Sequence, residues 1–272
     1  MGAEQRGQGA QQRDFVGDEM KVVAYGGGTN STAMLIGMYE NGISPDVILF
    51  ADTGGEKPHT YDHVRVVNAW CKKVGFPEIV IVKKRGRVFV GETLEENCIR
   101  KTMLPSIAYG YKSCSHKYKV QPQDMYCNNN DGCKAVWDAG AKVEKFIGYD
   151  ADEERRAKIK SDDRYNYNYP LIAAEWGREE CVEAIARHGL PQPGKSACFF
   201  CPSSKKAEIL ALRDQYPDLL ERALKMEDQA NLTSVKGLGR NFSWRVFLAN
   251  QATPEQFSDA GKEMDCGCYD GD

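Results

Sequence analysis

No stretch of this 272-residue chain approaches the ~20 apolar residues that a membrane-spanning helix requires, so no such helix is expected. The opening residues, MGAEQRGQGAQQRDFVGDE, lack the apolar core of a secretory signal and read as a disordered polar tail over 1–19. Arg6 stands where a myristoylation signal would carry Ser or Thr, so lipidation is not expected either. Positive charge is not in excess. Lys and Arg total 36 against 39 Asp and Glu, a net of −3, which argues against a globally basic nucleic-acid binder and leaves only a local basic face open. No internal repeat is visible. With 42% hydrophobic and 28% charged residues the chain reads as an ordinary globular protein, expected in the cytoplasm.

What the chain does have is cysteine. There are ten, and in a reducing compartment they are expected as free thiols, metal ligands or redox groups rather than disulfides. It also has a glycine loop. The apolar run Val22-Val23-Ala24-Tyr25 drops into Gly26-Gly27-Gly28, then Thr29, Asn30, Ser31 and Thr32 open a helix-like segment. Strand, glycine loop and helix form the arrangement that holds a phosphate, because glycines admit a close backbone approach and the new helix points N–H groups at the anion. No Gly-Lys-Ser/Thr ends the loop, so it is not a Walker motif.

The hydrophobic pattern predicts alternating strands and helices. Strands are expected at 21–25, 46–53, 78–84 and 145–151. Helices are expected at about 31–41, closed by Asn41-Gly42, and at 59–75, 179–189 and 207–230, the last broken near Pro217. Residues 91–145 read as helices joined by loops. The expected fold class is α/β: a doubly wound, mostly parallel sheet with helices on both faces and a C-terminal helical extension. The expected divisions are the tail, a core domain over 20–205 and an extension over 206–272. Ligands should bind beyond the carboxyl ends of the strands, where the glycine loop and Asp52-Thr53-Gly54-Gly55 meet. Trp70, Trp137 and Trp176 are expected in the core, and His188 at a helix C-terminus.

The loop Gly26-Gly27-Gly28-Thr29-Asn30-Ser31 resembles the PP-loop, SGGxDS, of the adenine nucleotide alpha-hydrolase superfamily. Four further segments, in order over residues 20–215, resemble the phosphoadenosine phosphosulfate (PAPS) reductase family and its DndC-like relatives. They are LFADTGGEKPHTYDHV, KSCSHKYKVQP, KFIGYDADEERRAKI and the run from YNYNYPL to ACFFCPSS. The chain departs from the pattern at Gly26, where Ser is usual, and at Asn30, where Asp is usual. It also departs at Gly148-Tyr149-Asp150, which replaces GxR and moves the arginines to Arg155 and Arg156.

The resemblance implies an enzyme binding ATP or a PAPS-like sulfonucleotide, with Mg2+. Gly26, Gly27, Gly28, Asn30, Ser31 and Thr32 would hold phosphate, with Lys117, Arg155 and Arg156 beside it. Asp52 would serve as a magnesium ligand or ribose contact, or else as a turn cap. In the reductases the upstream cysteine segment and the downstream CxxC ligate a [4Fe–4S] cluster, which here implies Cys114, Cys198 and Cys201, with serines in place of the second upstream cysteine. A fourth ligand would come from Cys98, Cys127 or Cys133, or one iron would stay open. Zinc, with His116 near Cys114, and a plain redox CxxC are the competing readings. Asp265-Cys266-Gly267 is similar to the reductases' C-terminal Glu-Cys-Gly, which makes Cys266 a candidate nucleophile and a thioredoxin-type reductant a candidate partner.

Basic residues interleave with aromatics at Lys83–Arg87, at Lys112–Lys119 and at Lys236–Arg245. That mixture suits a nucleotide or single-stranded nucleic acid. Three function classes stay open: a PP-loop enzyme transferring sulfur to a nucleic-acid or nucleotide acceptor, a thiol-dependent sulfonucleotide reductase, and a non-catalytic nucleotide-binding module.

Overall fold

Strand β1 (Lys21–Tyr25) is the middle strand of a five-stranded sheet in the order β3-β2-β1-β4-β5, with every neighbouring pair parallel. Its companions are β2 (Val47–Asp52), β3 (Ile79–Lys83), β4 (Val143–Ile147) and β5 (Tyr165–Asn168). The computed structural model describes residues 19–84, 92–157 and 161–251. Among these, no helix is long and apolar enough to cross a membrane.

Side chains alternate along each strand, and both faces are covered. Val23, Tyr25, Ile48 and Phe50 pack against α1 (Thr29–Glu40), α2 (Pro58–Lys73) and α8 (Arg178–Arg187). Val22, Val47, Leu49 and Val143 face α5 (Gln121–Asn129) and α6 (Asp131–Asp138). The sheet is therefore doubly wound and α/β, as the alternating pattern predicts. Between β3 and α5 lie α3 (Leu94–Arg100), a 3₁₀ turn (Ser106–Tyr109) and α4 (Ser113–Ser115), which runs into a π-helical turn over His116–Val120.

The structure differs from the sequence expectation in two places. The fourth strand is shifted to Val143–Ile147, and Gly148, Tyr149 and Asp150 lie beyond it. The chain leaves the sheet at Gly148 because α1 crosses there. A β-carbon on Gly148 would sit 2.9 Å from the Ser31 Cα and 3.0 Å from the Asn30 carbonyl. The fifth strand, YNYN, was not expected as an element, since its alternate residues are polar. Their partner is across the ladder, where the Asn166 and Asn168 amides donate to the two Glu144 carboxylate oxygens at 2.7 and 2.6 Å. Trp70 is buried, whereas Trp137 and Trp176 are half-buried and packed at the edges of the two cores.

The connection from β5 passes through α7 (Pro170–Ala173), and the last helices are α9 (Lys206–Gln215), α10 (Pro217–Gln229) and α11 (Trp244–Asn250). Pro217 opens α10, where its missing N–H costs nothing. These helices share a second core with α3 and the Cys198–Cys201 segment. The buried Glu227 carboxylate organises it, accepting from the backbone N–H of Leu238, Trp244 and Arg245 at 2.7 to 3.0 Å and from the Ser243 hydroxyl at 2.5 Å.

Candidate anion cavity and thiol chamber

The strand order reverses between β1 and β4, which is where an open parallel sheet leaves a crevice at its carboxyl edge. The glycine loop lies in that crevice. Gly27 has φ +73°, and a β-carbon there would stand 3.1 Å from Thr60 and 3.2 Å from Phe50, so the turn admits only glycine without strain. Gly28 caps α1, and its N–H donates to the Ser31 hydroxyl at 3.3 Å. The first turn of α1 carries no acidic residue, so its positive end is left to an incoming anion. The Ser196 hydroxyl donates to the Gly26 carbonyl and ties the segment before the CxxC to the loop.

A cavity of about 570 Å³ opens over the loop, lined by the ends of β1, β2 and β4 and by α1. Its cations are Lys119, Arg156, Arg178, Lys195 and Lys205, against the carboxylates Glu153 and Glu208. Both carboxylates are paired. Glu153 bonds Arg156 and takes a hydrogen bond from the Asn30 amide at 2.9 Å, while Glu208 lies 2.8 Å from the Lys195 ammonium. The Asn30 carbonyl oxygen faces Arg178 at 3.3 Å. Asn30 thus links a carboxylate and a guanidinium at the mouth of the loop. Nearby, burial and then Glu153 and Asp152 push the Asp150 carboxyl above the ordinary carboxylate range, and a hydrogen bond from Asn30 opposes them.

Of the loop and basic residues singled out in the sequence, Gly26, Gly28, Asn30, Ser31 and Arg156 line this cavity. The others face elsewhere. The Thr32 hydroxyl is buried, donating to the Gly28 carbonyl at 2.9 Å with the His63 Nε2 3.0 Å away. Asp52 is held by the Tyr61 hydroxyl at 2.7 Å, the Gly54 N–H at 2.8 Å and the Lys83 ammonium at 3.0 Å. Through the Gly54 N–H it caps the turn after β2. Lys117 and Arg155 are exposed. Lys119, which the sequence offers beside Lys117 as a phosphate contact near Cys114, does line the cavity, and the structure adds Arg178, Lys195, Ser196 and Lys205. The run GKSACFFCPSSKK held a signal for three of these, since its basic and hydroxyl residues flank the CxxC. Arg178 carried none, because α8 reaches the loop only through the fold.

Behind Lys119 lies a second, smaller cavity of about 40 Å³, lined by Cys114, Cys198 and Cys201 among apolar side chains. The CxxC is held by the loop after β2. The Phe199 N–H donates to the Gly55 carbonyl at 2.8 Å, and Cys198 forms an isolated bridge with Glu56. Phe199 and Phe200 are buried edge to face with centroids 4.7 Å apart, which anchors the turn in the second core. The Thr53 hydroxyl lies 3.1 Å from the Cys198 sulfur, and the Cys114 N–H donates to the Ser106 hydroxyl at 2.8 Å. Cys98 packs in the same core, its thiol pushed up to about 12 by burial first and then by Cys114. Cys127 and Cys133 belong to a separate core and hydrogen-bond each other. His116 is exposed and does not line the chamber. Among the described residues no three His, Cys, Asp or Glu side chains are already gathered around one metal position. Cys266 lies outside the described residues.

No protein-family model matches the chain, and no curated protein matches it significantly. Among solved structures it is similar to the U34-tRNA thiolase NcsA from Methanococcus maripaludis with its [4Fe-4S] cluster. That similarity has a TM-score of 0.43 at 15% identity, over 82% of this chain and 76% of that one.

Proposed function

We propose that this protein is a PP-loop enzyme that binds ATP or a related adenine nucleotide over Gly26–Ser31 and transfers sulfur to an acceptor activated there. The observation that carries this reading is Lys119, whose side chain lines both the anion cavity and the thiol chamber. An anion cavity and a set of thiols that share one wall suit a reaction in which an acceptor oxygen is activated by adenylation and sulfur is delivered to the carbon that bears it.

In this scheme the loop N–H groups and the Ser31 hydroxyl hold the leaving pyrophosphate. An acceptor oxygen attacks the α-phosphorus, the bond to pyrophosphate breaks, and an acceptor adenylate forms. A sulfur nucleophile then displaces AMP from the acceptor carbon. Lys119, Arg156 and Arg178 neutralise the charge that moves between these groups. Mg2+ would be held by the phosphates together with Glu153, one of the two carboxylates on the cavity wall, which accepts a hydrogen bond from the Asn30 amide.

The donor set in the chamber is three thiols on apolar walls without a histidine, which fits an iron–sulfur cluster better than a Cys₃His zinc site. A [4Fe–4S] cluster held by Cys114, Cys198 and Cys201 would supply one iron open to a sulfur ligand. The apolar wall keeps water from the acceptor adenylate, which would otherwise hydrolyse. The reductase reading depends on Cys266, and the binding-module reading on Asn30 abolishing turnover.

The test uses anaerobically purified full-length protein. Iron, sulfide and zinc are measured together with the visible spectrum, for wild type and for Cys114→Ser, Cys198→Ser, Cys201→Ser and Cys127→Ser. About four irons and a broad ~400 nm band are expected, lost in the first three variants and kept in the fourth. Stoichiometric zinc without iron would overturn the cluster. Pyrophosphate release from ATP supports adenylation, and sulfite release from a sulfonucleotide would replace it with the reductase.

A further inference from the structure

The thiol chamber reaches the surface at Lys112, an exposed residue that also lines it. Next to it stands Tyr111, at 70% exposure the most exposed large hydrophobic among the described residues. Its surroundings are not neutral. Arg240 has φ +63°, a left-handed conformation that a non-glycine residue adopts at a cost. Its guanidinium lies against Gly110, where a β-carbon would stand 2.7 Å from it, so a cation is held beside the Tyr111 backbone. Lys84 bonds the Tyr118 hydroxyl at 3.1 Å and is close enough to Lys101, Lys117 and Arg100 to be affected by their charge. Of the acids near this group, Glu92 is taken by Arg100 at 2.7 Å and Glu96 by the Thr93 N–H and hydroxyl at 2.8 and 2.9 Å. In a chain of net charge −3, cations therefore stand beside Tyr111, as Lys112 and Arg240, and around Tyr118, as Lys84 with Lys101, Lys117 and Arg100 near it.

We infer that this face binds a single-stranded segment of nucleic acid. One base stacks on Tyr111, and the flanking phosphates lie on Arg240 and Lys112 to one side and on Lys117, Lys84 and Lys101 to the other. A neighbouring base is then presented at the mouth of the chamber, where Lys112 stands. Duplex fits poorly, because its bases are already stacked and cannot cover the tyrosine. The inference rests on the sulfur-transfer reading for the last step only. Strand binding itself needs neither cluster nor ATP.

The experiment measures fluorescence anisotropy of labelled ten-nucleotide single strands of RNA and DNA, and of a hairpin duplex, with full-length protein at several salt concentrations. Nucleotide binding is followed separately by calorimetry with ATP. At least one single strand is expected to bind about ten-fold or more tightly than the duplex. Tyr111→Ala should weaken strand binding about ten-fold, as loss of a stacked base does. Lys117→Glu and Lys101→Glu should weaken it and flatten the dependence of log K on log salt, by about 0.7 for each phosphate no longer neutralised. Tyr111→Ala and Lys101→Glu should leave ATP binding unchanged. Absence of strand binding, equal binding by Tyr111→Ala and wild type, or preference for duplex would overturn the inference. Strand binding in a protein that fails to bind ATP would uphold this surface and remove the proposed function instead.

Discussion

The Lys119 ammonium stands 3.3 Å from the Glu56 carboxylate, and the Glu56 side chain is 1% exposed. Neither Glu56 oxygen has an aligned hydrogen bond, so the pair is held by charge. Breaking one side of such a pair strands a buried charge, at a cost of about 3–5 kcal/mol. Lys119→Met should therefore lower stability by about that much and weaken ATP binding. Glu56→Gln, which removes the carboxylate charge and leaves Lys119 in the cavity, should cost less and leave ATP binding the less affected. Urea unfolding and calorimetric ATP titration of both variants would show the order.

Gly148→Ala tests how closely β4 and α1 approach. The new methyl would meet the Ser31 and Asn30 backbone, neither of which can rotate away. A loss of about 1–3 kcal/mol is expected from the overpacking, together with weaker nucleotide binding as the glycine loop shifts. Denaturant midpoints and ATP titration would measure the two effects. A variant that kept both would show that the loop has slack.

Glu227→Ala should leave buried donors at Leu238 and Trp244 without an acceptor. Each unsatisfied donor costs about 1–3 kcal/mol, so the second core should loosen before the sheet does. Hydrogen exchange is expected to rise over 238–250 and to stay slow in β1 and β2.

His63 makes stability depend on pH. Burial first, and then His59, lowers its imidazole pKa below the ordinary 6.5. On acidification the unfolded chain takes up a proton near 6.5 that the folded chain refuses. The stabilisation is thus present above that pH and is lost as pH falls through it, with a slope of at most about 1.4 kcal/mol per pH unit. His63→Gln should flatten urea-derived stability between about pH 8 and 5.5. An unchanged slope would assign the dependence to other groups.

The lysine facing the site shows why part of it could not be read along the chain. Lys117 and Lys119 both stand near Cys114 in the sequence, and ordinary helical spacing from Cys114 would bring positions 117 and 118, not 119, onto its face. The segment instead winds as a π turn over His116–Val120, and such turns bond i to i+5. Lys119 therefore joins Cys114 at the chamber, and Lys117 turns to solvent. Asn30 is similar. As a letter it is a lost carboxylate, whereas in space Glu153, far along the chain, stands at 2.9 Å from its amide.

Local rules were enough for the rest. The apolar run that breaks at three glycines and resumes as a helix determined β1, the loop and α1. Alternating apolar segments of strand and helix length determined a parallel sheet covered on both faces, and the spacing of Cys198 and Cys201 determined one turn with two sulfurs. The elements themselves depend on interactions within a few residues, and their alternation restricts the sheet to a parallel one with crossover helices, which is why the sequence was informative there. Only the tertiary structure decided which cations line the anion cavity, that Cys114 lines the same small cavity as Cys198 and Cys201, and that Cys127 and Cys133 pack in a different core. Those outcomes depend on packing between segments distant along the chain. They are set by how α8, the π turn and the second core dock on the sheet, and no local periodicity encodes that docking.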